Sequence, residues 1–514
     1  MESSHQVITF RRMDEDIDII VIGGGAGGGT LAATCAAAGK RVLVIERGKA
    51  ATIYAALDNG SHAHDEQKTL IAKQPYDDRN IELNGTTSRL YMGGMFGGGT
   101  SVYGGALLRP HAADFSPRQY YHNRIPSEIR DWPIGFETFE PYLAAAERLF
   151  RVADVHPNDA RGSQSVESFP GLPLARINGK LMQAATTSGL KPYRLPLAIE
   201  ASKCLRCDHC AGFVCPTGAR RSSAQLVHES IARGDSLSVM YNSEAERLER
   251  GANGRLQGVW IQNRENMTSQ LFKAKRYVLS AGAIGSAALL LKSGFDHPLI
   301  GRNYMMHYSP LAIGVFASST ESSRTFVKQV GFSDFYFGTK ELPEKMGIIQ
   351  SLPAPGPLMM AKSGMKLVPR WMLNILRSRM LPLVGIVEDL PNPENRVSVS
   401  DSGTIRLQHQ YSDYDRLRGR SLAKEMTKLL KATGALHSVS SKIPSREHVA
   451  HQCGTLRFGT SRNHAVADPE CRMFDQPDIF IADGSFMPTS LGVGPSLTII
   501  SNAIRVSAIV AAEV

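Results

Sequence analysis

The sequence predicts an α/β protein in which a discontinuous, Rossmann-like dinucleotide-binding domain is joined to a second, mostly antiparallel-sheet domain. Three observations predict it. The apolar run 17–22 leads into Gly23-Gly24-Gly25-Ala26-Gly27-Gly28 and then into an alanine-rich stretch from Thr30, which reads as strand, tight turn and helix. A second apolar run, 41–45, ends in Glu46, close to the position about 20 residues past such a loop where an acid accepts hydrogen bonds from ribose hydroxyls. Near the far end, Ala482-Asp483-Gly484-Ser485 has the form of a turn that closes a dinucleotide site, so both ends of the chain serve one domain.

Within the first loop, Gly23 permits the tight turn, Gly25 lets the backbone approach a pyrophosphate and Gly28 lets the helix sit close to the sheet. The start of the helix that follows then faces the phosphates with its unsatisfied amides. A third glycine cluster spans 93–105 and includes Gly98, Thr100 and Ser101. So many glycines allow a backbone to lie flat against a planar ring system. Further along, 396–400, the turn Asp401-Ser-Gly403 and 404–411 alternate polar and apolar residues, which reads as an antiparallel hairpin covered on one face. Residues 416–433 read as an amphipathic helix with Leu417, Leu422, Met426, Leu429 and Leu430 spaced for burial.

Composition bounds the class. With 514 residues, 42% hydrophobic and 21% charged, the chain can bury a large core in two or more lobes. The net charge is +10, yet no long basic block or nucleic-acid module accompanies it, so nucleic acid is excluded as a partner. Residues 1–18 carry no apolar stretch of the kind a secretory signal needs, and no run approaches the roughly 20 apolar residues of a membrane span. A cytoplasmic protein is expected, without membrane contact. Residues 351–384, with Pro353, Pro355 and Pro357 and many Met, Lys and Arg residues, suit an entrance lid or a packed loop and helix. A basic amphipathic helix touching membrane is the minor reading there.

From the 93–105 loop onward the chain resembles the glucose-methanol-choline (GMC) family of FAD-dependent oxidoreductases. Trp132-Pro133-Ile134 with Tyr142 and Glu147, then Ala281-Gly282-Ala-Ile-Gly285, Gly301-Arg302-Asn303 through His307, and Glu388 through Val397 carry the likeness. His451-Gln-Cys-Gly454-Thr455 through Asp483, Pro488 and Leu497-Thr498 completes it. The resemblance implies noncovalent FAD, because the 97–105 loop has no histidine to tether the ring. It implies cofactor contacts at Gly23, Gly25, Ala26, Gly28, Glu46, Gly98, Thr100, Ser101, Ala281, Gly282, Asp483, Gly484, Pro495 and Ser496. An FAD-binding domain of 1–115, 200–306 and 446–514 and a substrate-binding domain of 116–199 and 307–445 follow. Residues 310–385 carry little signature.

The implied chemistry is oxidation of a CH–OH group to a carbonyl, with hydride passing to the flavin and the hydroxyl proton to a base. The resemblance places His451 in that role, and a histidine can accept a proton at neutral pH. Here the sequence also departs from the family, which commonly sets His or Asn before Pro-x-Leu-Thr, whereas this chain has Gly494 before Pro495. A second departure is Cys204-x2-Cys207-x2-Cys210-x4-Cys215-Pro216, one residue longer than a bacterial ferredoxin run. Some sugar-dehydrogenase relatives hold an iron-sulfur cluster in a comparable segment, but a loop without metal is the leading reading.

Three function classes follow. The first is an FAD-dependent oxidation of a small-molecule alcohol on a sugar, polyol or secondary metabolite, with oxygen, a quinone or a partner protein accepting the electrons. The second is the catalytic subunit of an electron-transfer dehydrogenase carrying a cluster on the four cysteines. The third is a non-redox flavoprotein, lyase or binding protein, which Gly494 keeps open.

Overall fold

The computed structural model describes residues 16–50, 65–121, 128–155, 169–440 and 447–514. Most of the stretch 1–18 lies outside the described residues.

The first strand, Ile19–Ile22, is wholly buried because it sits inside a six-stranded sheet. Parallel partners flank it on both sides, Val42–Ile45 and Arg276–Leu279, in register Ile19 to Val42 and Ile19 to Arg276. The order continues outward to Leu237–Met240 on one side and to Gln476–Ile481 on the other, with the short antiparallel Arg472–Met473 at that edge. Strands buried on both faces read as unbroken Val/Ile/Leu runs rather than alternating ones. Chain segments more than 450 residues apart thus share one sheet, as the two terminal glycine motifs require.

The helix after the first loop begins at Ala26 and runs to Ala37, four residues earlier than Thr30 suggested. Gly27, Gly28 and Gly29 form its first turn because nothing larger fits. A Cβ on Gly27 would lie 1.5 Å from the Ala482 carbonyl oxygen, and one on Gly28 would lie 2.0 Å from the Gly23 carbonyl oxygen. Helix Ser496–Ala512 packs against this first helix and carries the chain's end back to its beginning.

The second large sheet is antiparallel throughout, in the order His437–Ser440, Leu311–Val315, Met380–Val387, Gly347–Ser351, Val330–Phe332 and Tyr193–Arg194. Four of its strands come from the stretch that carried little sequence signature. The hairpin Arg396–Val399 and Ile405–Gln408 forms as the alternation predicts. It does not join this sheet, however. Ile405–Gln408 instead pairs parallel with Asn80–Leu83, giving a separate four-stranded sheet with Thr86–Arg89.

Helix Asp413–Ala432 covers the antiparallel sheet, and Ser412 and Asp415 close its start as a reciprocal capping box. Leu422, Met426, Leu429 and Leu430 are buried in a satellite core. Leu417 is exposed, against expectation. It lies five residues before Leu422, about 140° around the helix, so the inward face at that turn belongs to Asp415, Arg418 and Gly419.

Candidate active site

A cavity of about 1450 Å³ runs between the two large sheets. One wall is made of backbone. Gly23 turns there with φ +100°, a conformation only glycine adopts readily. Next to it, the helix Ala26–Ala37 starts at Gly25 with no side-chain cap, and the helix Ser496–Ala512 starts at Pro495 likewise uncapped. Both starts line the cavity. Uncapped helix starts leave amides free to meet an anion or a carbonyl oxygen.

Of the residues singled out from the sequence, Gly23, Gly25, Ala26, Glu46, Gly98, Thr100, Ala281, Gly282, Asp483, Gly484, Pro495 and Ser496 line this cavity together with His451. Gly28 and Ser101 do not. Gly28 packs against Gly23 and Ser280, and the Ser101 hydroxyl donates to the Phe96 carbonyl at 2.7 Å. Glu46 is buried, with one carboxylate oxygen accepting the Gly24 amide at 3.0 Å and the other the Gly48 amide at 2.7 Å. Desolvation pushes its pKa up, against those two bonds. Asp483 accepts the Gly282 amide at 2.9 Å and the Ser286 hydroxyl at 2.5 Å, which ties the last strand to the start of the helix Gly282–Lys292.

The opposite wall is made of side chains. Backbone bonds in both directions between Met305 and Cys453 bring the segment around His307 beside the segment around His451. The two imidazoles meet edge to face, Nδ1 to Nδ1 at 2.9 Å, and His307 Nε2 lies 2.9 Å from the Leu491 carbonyl oxygen. A carbonyl can only accept, so His307 carries its proton on Nε2 and accepts at Nδ1. His451 must therefore donate from Nδ1, which leaves its Nε2 lone pair free. That nitrogen faces Gly494, where a Cβ would stand 3.6 Å from it.

Burial keeps both rings neutral. It pulls His307 down to about 4, and it holds His451 well below the ordinary histidine value, helped by the neighbouring His307 and the positive charge of Lys328. Lys328 lines the same cavity with its ammonium against Gly104 and has no ion-pair partner among the described residues. Burial lowers it to about 8. Behind this wall, the Lys345 ammonium contacts Asp114 at 2.7 Å and Glu388, all three fully buried. Asp389, next in the chain, accepts the Met306 amide at 2.9 Å and faces His409 at 2.8 Å, so the network holds the backbone beside His307. Sequence reasoning named His307 only as the end of a family stretch, without a site role, and passed over Lys328; only the fold brings them to the cavity.

The cysteine run forms a further stretch of cavity wall through Asp208, His209, Ala211, Gly212 and Phe213. Arg220 ties it down, donating to the carbonyls of Cys210, Phe213 and Ser101. All four cysteines are free thiols, and among the described residues no three His, Cys, Asp or Glu side chains are grouped to hold a metal ion.

Residues 17–309 and 391–503 match the two GMC oxidoreductase family models. The chain belongs to the GMC oxidoreductase family. It is 28% identical over 508 residues to 6'''-hydroxyparomomycin C oxidase of Streptomyces lividus, covering 92% of this chain and 88% of that protein. Paromamine 6'-oxidase of Streptomyces fradiae is 27% identical, covering 83% and 79%. Among solved structures, pyridoxine 4-oxidase from Mesorbium loti superposes with a TM-score of 0.67 at 19% identity, covering 96% of this chain and 99% of that one. Aspergillus oryzae formate oxidase superposes at 0.68 and 14% identity, covering 97% and 98%. The GMC oxidoreductase is therefore an FAD-dependent enzyme that oxidises alcohols, on an α/β fold with a Rossmann FAD domain and a substrate domain. No helix among the described residues is long and apolar enough to cross a membrane.

Proposed function

We propose that His451 Nε2 takes the hydroxyl proton of a neutral sugar, polyol or secondary-metabolite alcohol as its carbon gives up hydride. The observation that carries this reading is the tautomer chain Leu491–His307–His451, which leaves one unprotonated nitrogen, and that nitrogen points into the cavity. FAD, when bound, supplies the two-electron acceptor for the hydride. The uncapped helix starts at Gly25 and Pro495, with the Gly98 to Thr100 loop, fit a dinucleotide and a planar ring, and Glu46 shapes the turn that meets the ribose. The proposed division is an FAD-binding part (1–115, 200–306, 446–514) and a substrate part (116–199, 307–445), with His451 reaching the substrate side from the FAD-binding segment 446–514 to meet His307.

Gly494 leaves the alcohol oxygen without the usual second side chain, and Lys328 supplies a positive charge in its stead. A cation there favours the negative charge that develops on oxygen as the proton leaves. It also disfavours a substrate ammonium near the reacting carbon. The two Streptomyces relatives are named for aminoglycoside substrates, so a shared reaction with a different substrate end is the reading that Lys328 supports. Oxygen is the proposed electron acceptor, in line with the oxidase names of those relatives.

Anaerobic mixing with a panel of neutral polyols, sugars and amino sugars tests this reading by the loss of the flavin absorption bands. Neutral alcohols should bleach the flavin and amino sugars should do so more slowly, with peroxide released once air is admitted. Bleaching by amino sugars alone would remove the role given to Lys328. Lys328→Met should slow reduction by neutral alcohols roughly tenfold to a hundredfold and move the acidic limb of the rate profile upward, because His451 then loses a nearby positive charge.

A further inference from the structure

The 43 residues 345–387 contain six Lys or Arg and no Asp or Glu. Lys345 is buried with its two carboxylates, Lys362 lies 3.6 Å from Glu447 and Arg377 pairs with Asp208. Lys366, Arg370 and Arg379 are exposed and have no ion-pair partner among the described residues. The same stretch exposes large apolar side chains. Leu367 is 98% exposed and Trp371 65%, with Met365, Met372 and Ile375 beside them in the sequence. Only Leu373 is buried in the helix Arg370–Arg377. One side of that helix is anchored, and the other carries Trp371, Met372 and Ile375 to solvent.

A patch of this kind costs solubility in water and is matched by an interface that is apolar below and negative at its surface. Tryptophan at the rim of an apolar face favours the headgroup region, and cations close to an anionic leaflet each strengthen binding by about fivefold. A protein partner would need acids spaced to meet three separate cations, whereas a lipid surface meets them in any arrangement. We propose that the segment 361–379 docks this enzyme on an anionic membrane surface, with Leu367 and Trp371 inserted and Lys366, Arg370 and Arg379 on the headgroups. The composition of 351–384 alone made membrane contact the minor reading; exposure of the apolar side chains reverses that order. Docking also bears on access. Ser363, Met365, Asn374 and Arg377 line the active-site cavity, so the docked segment is one of its walls and an apolar alcohol or acceptor dissolved in lipid can be drawn from there. The inference stands apart from the roles given to His451 and Lys328.

The test is co-sedimentation of the FAD-loaded enzyme with vesicles of phosphatidylcholine alone and of phosphatidylcholine with one-third phosphatidylglycerol. Binding to the anionic vesicles, weakened by high salt, is expected. Lys366→Glu with Arg370→Glu should lower partitioning at least about thirtyfold, and Leu367→Ser with Trp371→Ser should abolish it, while the flavin spectrum and circular dichroism stay unchanged. On the unmutated enzyme, brominated lipids should quench tryptophan emission. Failure of the unmutated enzyme to sediment with anionic vesicles overturns the proposal. Equal sedimentation by both double variants also does, as does concentration-dependent self-association through this face without vesicle binding.

Discussion

The two walls of the cavity are built by opposite means. The cofactor wall is backbone: a glycine turn at Gly23, uncapped helix starts at Gly25 and Pro495, and carboxylates such as Glu46 and Asp483 that serve mainly to hold amides in place. The substrate wall is side chains: the His307–His451 pair, Lys328, and the buried Lys345–Asp114–Glu388 cluster behind them. A wall of backbone needs particular residues at fixed spacing, and those spacings are visible in a sequence. A wall of side chains can be assembled from any strands that happen to converge.

If the first wall is backbone, adding the smallest branched side chain there should do more harm than removing a whole charged group from the second. Gly28→Val is expected to yield no FAD-loaded protein at all, because its Cβ would lie 2.0 Å from the Gly23 carbonyl oxygen and 2.8 Å from Ser280. FAD content of the purified variant checks this, and normal loading would break the comparison. Lys345→Met strands two fully buried carboxylates, and urea unfolding should show a loss of about 3–5 kcal/mol. A loss below about 1 kcal/mol would mean that the cluster does not brace the substrate wall.

A smaller effect comes from pH. His307 is held down to about 4 in the fold, against about 6.5 in an unfolded chain. Between those values the unfolded chain binds the proton and the native one does not, so stability should fall as pH drops from 6.5 toward 4, by up to about 3 kcal/mol. His451, lowered in the same direction, adds to the slope. His307→Asn should flatten it, and an unchanged slope would place the titration elsewhere.

Legibility followed the same division. The loop around Gly25, the acid at Glu46, the closing turn at Asp483 and the parallel sheet were readable because close packing admits few residue types there. Gly28 was read as a close helix–sheet contact as well as a cofactor contact, and it packs against Gly23 and Ser280, while Ser101 was read as a cofactor contact and bonds the Phe96 carbonyl; neither lines the cavity, a distinction of one side-chain layer that spacing does not encode. Leu417 was assigned to the helix's inward face, and Asp415 and Arg418 took that face because buried Arg418 answers Asp415 at 2.5 Å. His307 and Lys328 were missed as site residues. Each lies more than 100 positions from His451, and only the Met305–Cys453 bridge and the antiparallel sheet bring them together.

The most direct test of the central claim is the rate of anaerobic flavin reduction by a neutral alcohol in His451→Ala, followed by stopped-flow absorbance across pH 5 to 9. FAD content equal to that of the unmutated enzyme with reduction at least about a hundredfold slower is the predicted result. Reduction at the unmutated rate would contradict it and take the proton to another residue.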